Sequence, residues 1–328
     1  MKNCKKSIFV LTVVIFLLLG LFSGIVTAEE TYKWRIGIAD NTEYYMTKLT
    51  REWADMLKEK TGGRVECEIF DSCQLGSAAD MLQGLDMGTI DIYEDGNSIP
   101  TSFNNIFDTW AMPYLYDNNE HKYKFWEKYF NEVSDIVAKE SNIRIVGVID
   151  GLNRQLSLRK PIQSFEDLKG LKIRVPEVPA FIEIWKSFGA APIPMAFNEV
   201  YTSLQTGVVD GQENDVVLTN AMNFFEVVPN LVITNHVAYE GFIMFNEKYY
   251  QGLPDDIKKS IKECSDYIYK KSKETIAQIE AETFKEIKAK GVNIFYPDLK
   301  KFKQAIVPMY ENYPHIKPIL EYVEKARQ

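Results

Sequence analysis

The chain has 328 residues, 46% of them hydrophobic and 26% charged, with a formal net charge of −8. It carries too much apolar material for a disordered chain and shows no fibrous bias. An acidic chain without a basic stripe argues against nucleic acid, whose binding comes from neutralising phosphates. It leaves small anions open, because one local arginine outweighs a distant net charge.

The first 28 residues stand apart. Lys2, Lys5 and Lys6 precede an apolar run from Ile8 to about Val26, and Val26-Thr27-Ala28 sets small residues at −3 and −1 of a cut before Glu29. This is the pattern of a secretory signal peptide; an uncut anchor is the alternative, since the run is nearly long enough to span a bilayer. Cleavage removes three lysines and no acid, leaving 300 residues and a net charge of −11 in an exported, periplasmic or otherwise extracytoplasmic protein. That length predicts about two domains. Of Cys67, Cys73 and Cys264, the first two either pair across the end of a strand or all three stay thiols. Nothing in the spacing demands a bridge, which favours thiols.

Trp34, Ile36 and Ile38 alternate as a strand does, and Tyr45, Leu49, Trp53 and Leu57 then mark an amphipathic helix stopped by Gly62-Gly63. Val65, Cys67 and Ile69 alternate again. A helix follows over Ala78–Met87, then a strand at Ile90–Tyr93, a helix at His121–Lys139 and a strand at Ile143–Ile149. The second half continues with a helical turn at Phe165–Leu168, a strand at Leu171–Val175 and a helix at Val178–Phe188. Glu199–Gln205 reads as helix, and Val208-Val209 and Leu231–Val237 as strands. Asp255 to Lys290 then reads as one long charged helix, about 36 residues and about 54 Å, more than one small domain needs. Strands alternating with helices predict an α/β fold with largely parallel pairing. No linker-like tract separates two domains, so the chain is expected to cross between them more than once.

The motifs of common catalysts are missing. His121, His236 and His315 have no metal-ligand neighbours at helical spacing. There is no nucleophile elbow, phosphate-cradling loop or dinucleotide fingerprint. No cofactor or metal is expected. An exported enzyme acting on carbohydrate acids, with two converging carboxylates, stays as the alternative from another class.

Three ordered blocks carry a resemblance. "FDSCQLGSAADMLQGLDMGTIDI", "GLNRQLSLRKPIQSFEDLKGLKIRVPE" and "APIPMAFNEVYTSLQTGVVDGQEN" resemble, in order and separation, the substrate-binding proteins of TRAP transporters, the DctP family. The likeness runs from about Tyr32 to the C-terminus. It implies a two-lobed periplasmic-binding-protein-like (type II) fold with a hinge and a long helix spanning both lobes. Lobe 1 would comprise 29–151 plus about 240–279, and lobe 2 about 152–239 plus 280–328, with crossings near Gly151 and Tyr239. It also implies a monomer that captures a small organic acid and delivers it to the small and large membrane subunits of an ion-gradient-driven permease.

The resemblance makes Arg174, in "KIRVP", the ligand arginine; alone, it would read as a strand-edge arginine in a surface pair. A guanidinium offers parallel N–H donors that fit a carboxylate and stays charged when water is excluded. Arg154 matches a second arginine, which either reaches the carboxylate or forms a hinge salt bridge with Glu213. Asn214 matches an asparagine whose amide donates to the carboxylate while its carbonyl accepts from a ligand hydroxyl. Asp215 follows it where most relatives have proline. Phe197 matches an aromatic against the ligand's carbon skeleton. On the first lobe, Glu94, Asp95 and Asn97 follow a strand at the end where α/β sheets bind ligands. Asp40 and Glu240 are further candidates at the crossings. Sialic-acid receptors carry an asparagine near Ala39 and a later glutamate and arginine; this chain lacks that asparagine and a matching arginine. The polar loop therefore favours a uronic or aldonic sugar acid over a C4-dicarboxylate, which needs a second cation, or a keto acid.

Overall fold

Each of two mixed sheets carries its own helices. In the computed structural model, which describes residues 30–96 and 104–328, the first sheet has the order β2-β1-β3-β10-β4. The expected signal peptide and the site candidate Asn97 lie outside the described residues. The chain begins β1 (Tyr32–Ile38), α1 (Tyr45–Lys60), β2 (Val65–Phe70), α2 (Ala78–Met87), β3 (Ile92–Asp95), α3 (Asp108–Ala111), α4 (Asn119–Ser141) and β4 (Ile143–Asn153). It then enters β5 (Gln155–Leu158), β6 (Lys172–Val175), α5 (Pro179–Ser187), β7 (Ala191–Pro194), α6 (Val200–Thr206), β8 (Gly211–Asn214), α7 (Val216–Ala221) and β9 (Asn230–Val232). After that come β10 (Ala238–Asn246), α8 (Glu247–Gly252), α9 (Asp255–Ala289), β11 (Asn293–Phe295), α10 (Lys300–Ala305) and α11 (Lys317–Ala326). The second sheet has the order β11-β9-β5-β8-β6-β7. The result is a two-lobed α/β protein.

Pairing is less parallel than the alternation of elements predicts. β10 runs antiparallel to β3 and β4, and β5 antiparallel to β8 and β9. These are the strands on which the chain passes between sheets, so they enter each sheet against the direction of the βαβ units. Val208-Val209 is not a strand. Gly207 takes φ 76° to end α6, and the amides of Val208 and Val209 bond back to the Ser203 carbonyl. The strand begins at Gly211 instead, and the one expected at Leu231–Val237 stops at Val232.

The crossings are built to close tolerances. Asn153 pairs with Ala238 in the first sheet, the Arg154 amide donates to Val237, and Gln155 opens the second sheet against Asn214. At Gly151 an added Cβ would lie 2.2 Å from the Tyr239 carbonyl oxygen, so only glycine fits there. The long helix α9 supplies a third connection. Its first half buries Ile257, Ile261, Cys264 and Ile268, and Ser265 accepts from the Trp53 indole of α1 at 3.0 Å. Its last turn is pinned by Glu286 and Lys290 to Asn220 of α7. At about 1.5 Å per residue its 35 residues span roughly 52 Å.

The C-terminal segment serves both sheets. Phe302 of α10 packs edge-on against Phe165 and Phe188, beside the second sheet. α11 instead lies on α4, with Tyr129 and Tyr322 rings 5.1 Å apart and the His121 ring bonded to the Val323 carbonyl at 2.8 Å. The apolar face of α11 (Ile319, Val323, Ala326) carries it back to the first lobe, away from the single-lobe assignment of 280–328.

Candidate functional site

Between the sheets lies a narrow cleft of about 50 Å³, lined from the first lobe by Asp40 and Asp95, from the crossings by Arg154 and Tyr239, and from the second lobe by Arg174, Phe197 and Asn214. A larger cavity of about 740 Å³ lies apart from it, between the 113–119 loop, the crossing segments and the C-terminal helices. Size alone would select the larger one. The buried unpaired charges select the cleft.

Arg174 sits at the middle of β6, in register with Ile193 of β7 and Gln212 of β8, and is 3% exposed. Its Nε and Nη2 donate to the Met195 carbonyl at 3.1 and 2.7 Å, and its guanidinium lies 5.7 Å from the centre of the Phe197 ring. Among the described residues no carboxylate lies within ion-pair distance of it. Burial accordingly pulls it down to about 10. A fully charged guanidinium held by one carbonyl and a ring face, with three of its five N–H groups unused, is half of an ion pair.

Arg154 is differently placed. It lines the cleft, but Nε and Nη2 clasp Glu213 at 2.5 and 2.8 Å, and Nη2 also reaches Asn214 Oδ1 at 2.7 Å. Phe181 and Tyr239 sandwich its guanidinium at 5.0 and 5.4 Å. Burial works against both charges, yet the pairing raises Arg154 and lowers Glu213. His236 completes this buried set, 3.0 Å from Glu213, and burial holds its own value below the usual range. The hinge-pair alternative for Arg154 thus has its partner in place.

Asn214 faces the cleft, turned differently from the expectation. Its carbonyl is occupied by Arg154 and its amide donates to Gln212 Oε1 at 2.6 Å, so one N–H proton is left for the cleft and the carbonyl is not. Asp215, in place of proline, caps α7 by accepting from the amides of Val217 and Leu218. Its second oxygen accepts from the Tyr44 hydroxyl of the first lobe at 2.8 Å, with both residues buried. Asn41 makes a second contact between lobes, donating to the Ala221 carbonyl at 3.0 Å, so this asparagine does not face the cleft.

On the first-lobe wall, Asp95 accepts from Tyr93 and from the Gly96 amide. Asp40, 7% exposed, has no donor within reach among the described residues. Burial first, then Asp95 and Asp215, push its carboxyl well above the usual range. The Tyr239 hydroxyl is likewise without a partner among the described residues. Glu94 does not line the cleft. Strand alternation turns it to the other face of β3, where it sits against Gly241, its two oxygens have no partner among the described residues and burial pushes its carboxyl well above the usual range. Glu240 is also away from the cleft, bonded to the Trp126 indole beside the Lys122–Asp150 pair. Burial pushes it up to about 7. Sequence reasoning named Tyr239 only as a crossing point and missed Ser77, Glu177 and Leu218, which line the cleft from loops and a helix end without any motif.

The three thiols are unpaired, and burial raises each of them, Cys67 to about 12. Among the described residues there is no cluster able to hold a metal ion, and no helix is long and apolar enough to cross a membrane.

The family model for bacterial extracellular solute-binding proteins, family 7, matches residues 37–315. The sialic acid-binding periplasmic protein of Vibrio cholerae is 32% identical over 315 residues, 94% of this chain and 95% of that one. A TRAP periplasmic solute-binding protein of Roseobacter denitrificans, solved with bound L-galactonate, superposes with a TM-score of 0.83 at 28% identity, covering 90% of this chain and 99% of the other. Another from the same organism, solved with bound β-D-glucuronate, gives 0.83 at 25% identity, covering 89% and 99%. These relatives are binding proteins of transporters rather than enzymes. The chain belongs to the DctP family of extracellular solute-binding proteins.

Proposed function

We propose that this protein captures a hydroxylated monocarboxylate, a uronic or aldonic sugar acid, in the cleft between its lobes and hands it to the membrane subunits of a TRAP permease. The observation that carries this reading is Arg174, a buried guanidinium facing the cleft with no carboxylate of its own. Arg154 is already held by Glu213, so the cleft offers one guanidinium without a carboxylate and takes one from the ligand. Asp95 on the opposite wall would repel a second carboxylate and instead accept from hydroxyls, which disfavours a C4-dicarboxylate. Relatives solved with galactonate and glucuronate support the same ligand class. The lobes are taken as 29–151 with about 240–279, and about 152–239 with the chain from 280 through α10, α11 returning to the first, and the protein acts as an exported monomer after signal cleavage.

The test is a thermal-shift screen of protein unfolded and refolded to strip ligand, against sugar acids, dicarboxylates, keto acids and sialic acid. A sugar acid at about 100 times its dissociation constant should stabilise by about 2.7 kcal/mol. A response confined to dicarboxylates would overturn the ligand class, and silence from folded protein would overturn the role of Arg174.

A further inference from the structure

The first-lobe wall of the cleft has an acid too many. Asp40 follows β1 and points into the cleft, nine-tenths buried and without a donor among the described residues. The groups around it come from every neighbouring element: Glu94 and Asp95 from β3, Asp215 from the cap of α7, Arg154 and Tyr239 from the crossings, Tyr44 ahead of α1 and Cys73 from the turn after β2. The two tyrosines and the thiol are pushed further up by burial and stay neutral. Arg154 is the one cation in this set, and Glu213 already holds it. Asp40 and Asp95 thus share the cleft wall, Glu94, Glu213 and Asp215 lie buried close behind and Glu177 stands at the exposed rim, against two guanidiniums, and a ligand carboxylate at Arg174 adds one acid more.

We propose that capture of a monocarboxylate at Arg174 draws one proton from solution onto the Asp40 carboxyl, so that anion and proton enter the cleft together. This rests on the sugar-acid reading above and adds a linked proton to it. Asp95 already accepts from the Tyr93 hydroxyl and the Gly96 amide, while Asp40 has no donor among the described residues and only Arg154, itself held by Glu213, to favour its charge. In an open, hydrated cleft water solvates Asp40, whereas closure removes that water and the ligand brings a further negative charge into the cleft. Once protonated, Asp40 donates to a ligand hydroxyl oxygen, adding to the Tyr239 hydroxyl a second donor on a wall otherwise made of acceptors.

Proton uptake on binding makes affinity fall as pH rises, by up to about tenfold per unit where one proton is taken up. The experiment is titration calorimetry with D-glucuronate from about pH 5 to about pH 8, in two buffers of different ionisation enthalpy, whose difference counts protons. Wild type should take up close to one proton and lose affinity with rising pH. Asp40→Asn, which keeps the shape of the neutral acid, should bind with no uptake and a flat profile; Asp40→Ser gives the same readout if the amide variant fails to fold. Binding with no proton uptake overturns the proposal and leaves the ligand reading standing. A sloping profile retained in Asp40→Asn overturns the assignment to Asp40. Folded protein that binds no sugar acid at any pH removes the ligand reading, and the proposal falls with it.

Discussion

Replacing Arg174 by alanine tests the centre of the proposed function. In the protein the guanidinium spends two of its five N–H groups on the Met195 carbonyl and leaves three for a ligand. At 3% exposure its partner carboxylate would be desolvated, and breaking such a pair by removing one side costs about 3–5 kcal/mol. Affinity for the preferred acid should therefore fall by more than about 100-fold. Arg174→Lys keeps a charge but loses the planar fork, and should fall between alanine and wild type. Calorimetry against the acid found in the screen gives the dissociation constants, and thermal melts without ligand check folding. Those melts have their own expectation: the variant loses a buried uncompensated cation, so its unliganded stability should hold or rise. A loss under about tenfold in a folded variant would refute the reasoning, because the anchoring charge would then lie elsewhere.

Glu240 yields a pH prediction whose sign follows from burial. Its carboxyl is raised from 4.5 to about 7, so the folded protein holds a proton that the unfolded chain releases, and stability falls as pH rises between those values. Glu240→Gln should remove that loss, gaining on the order of 3 kcal/mol over wild type above about pH 7 and little near pH 4; denaturant melts at both ends read the difference. Tyr44→Phe removes the bond to Asp215 while both α7 caps remain, and a hydrogen bond to a charged group contributes about 1.5–3 kcal/mol. Ligand should dissociate roughly ten- to a hundredfold faster in stopped-flow, and an unchanged off-rate would show that the contact does not hold the lobes. Gly151→Ala should destabilise by at least about 2 kcal/mol, since its Cβ meets backbone at 2.2 Å; an unshifted melting temperature would mean the crossing relaxes freely.

The residues that announce themselves in sequence are those whose pattern repeats locally. Ile257, Ile261, Cys264 and Ile268 mark the long helix to within a residue or two of its ends, because a periodic apolar stripe needs no tertiary information. β5, β7 and β11 escape notice: at three or four residues they are too short for alternation, and they exist only through pairing with strands far away in sequence. β10 escapes for the opposite reason, since seven of its nine residues are buried on both faces and no alternation survives. In the site, Arg174 is legible only because three motif blocks bring a family pattern to it. Glu94 and Asp95 show the limit of that carry-over, since adjacent residues of one strand face opposite ways and loop motifs do not say which faces the cleft. The partnerless state of Asp40 could not be read from sequence. It is the sum of what several distant elements fail to supply.

Two strands crossing side by side, joined by the bond from Arg154 to Val237, would by themselves leave the lobes free to twist like pages on a soft spine. The helix α9 braces that pair: Ser272 accepts from the Asp150 amide of β4 just ahead of the crossing, Ser265 holds Trp53 of the first lobe, and the last turn holds Asn220 of the second. A helix seated on the crossing strand and tied to an element of each lobe resists twisting of one lobe about the crossings. With that twist resisted, closure about the crossings would bring Arg174 opposite Asp40 along one path. The fit between ligand and cleft is then tested in a single geometry, and an acid of the wrong length is rejected by a jaw that cannot shift sideways to accommodate it.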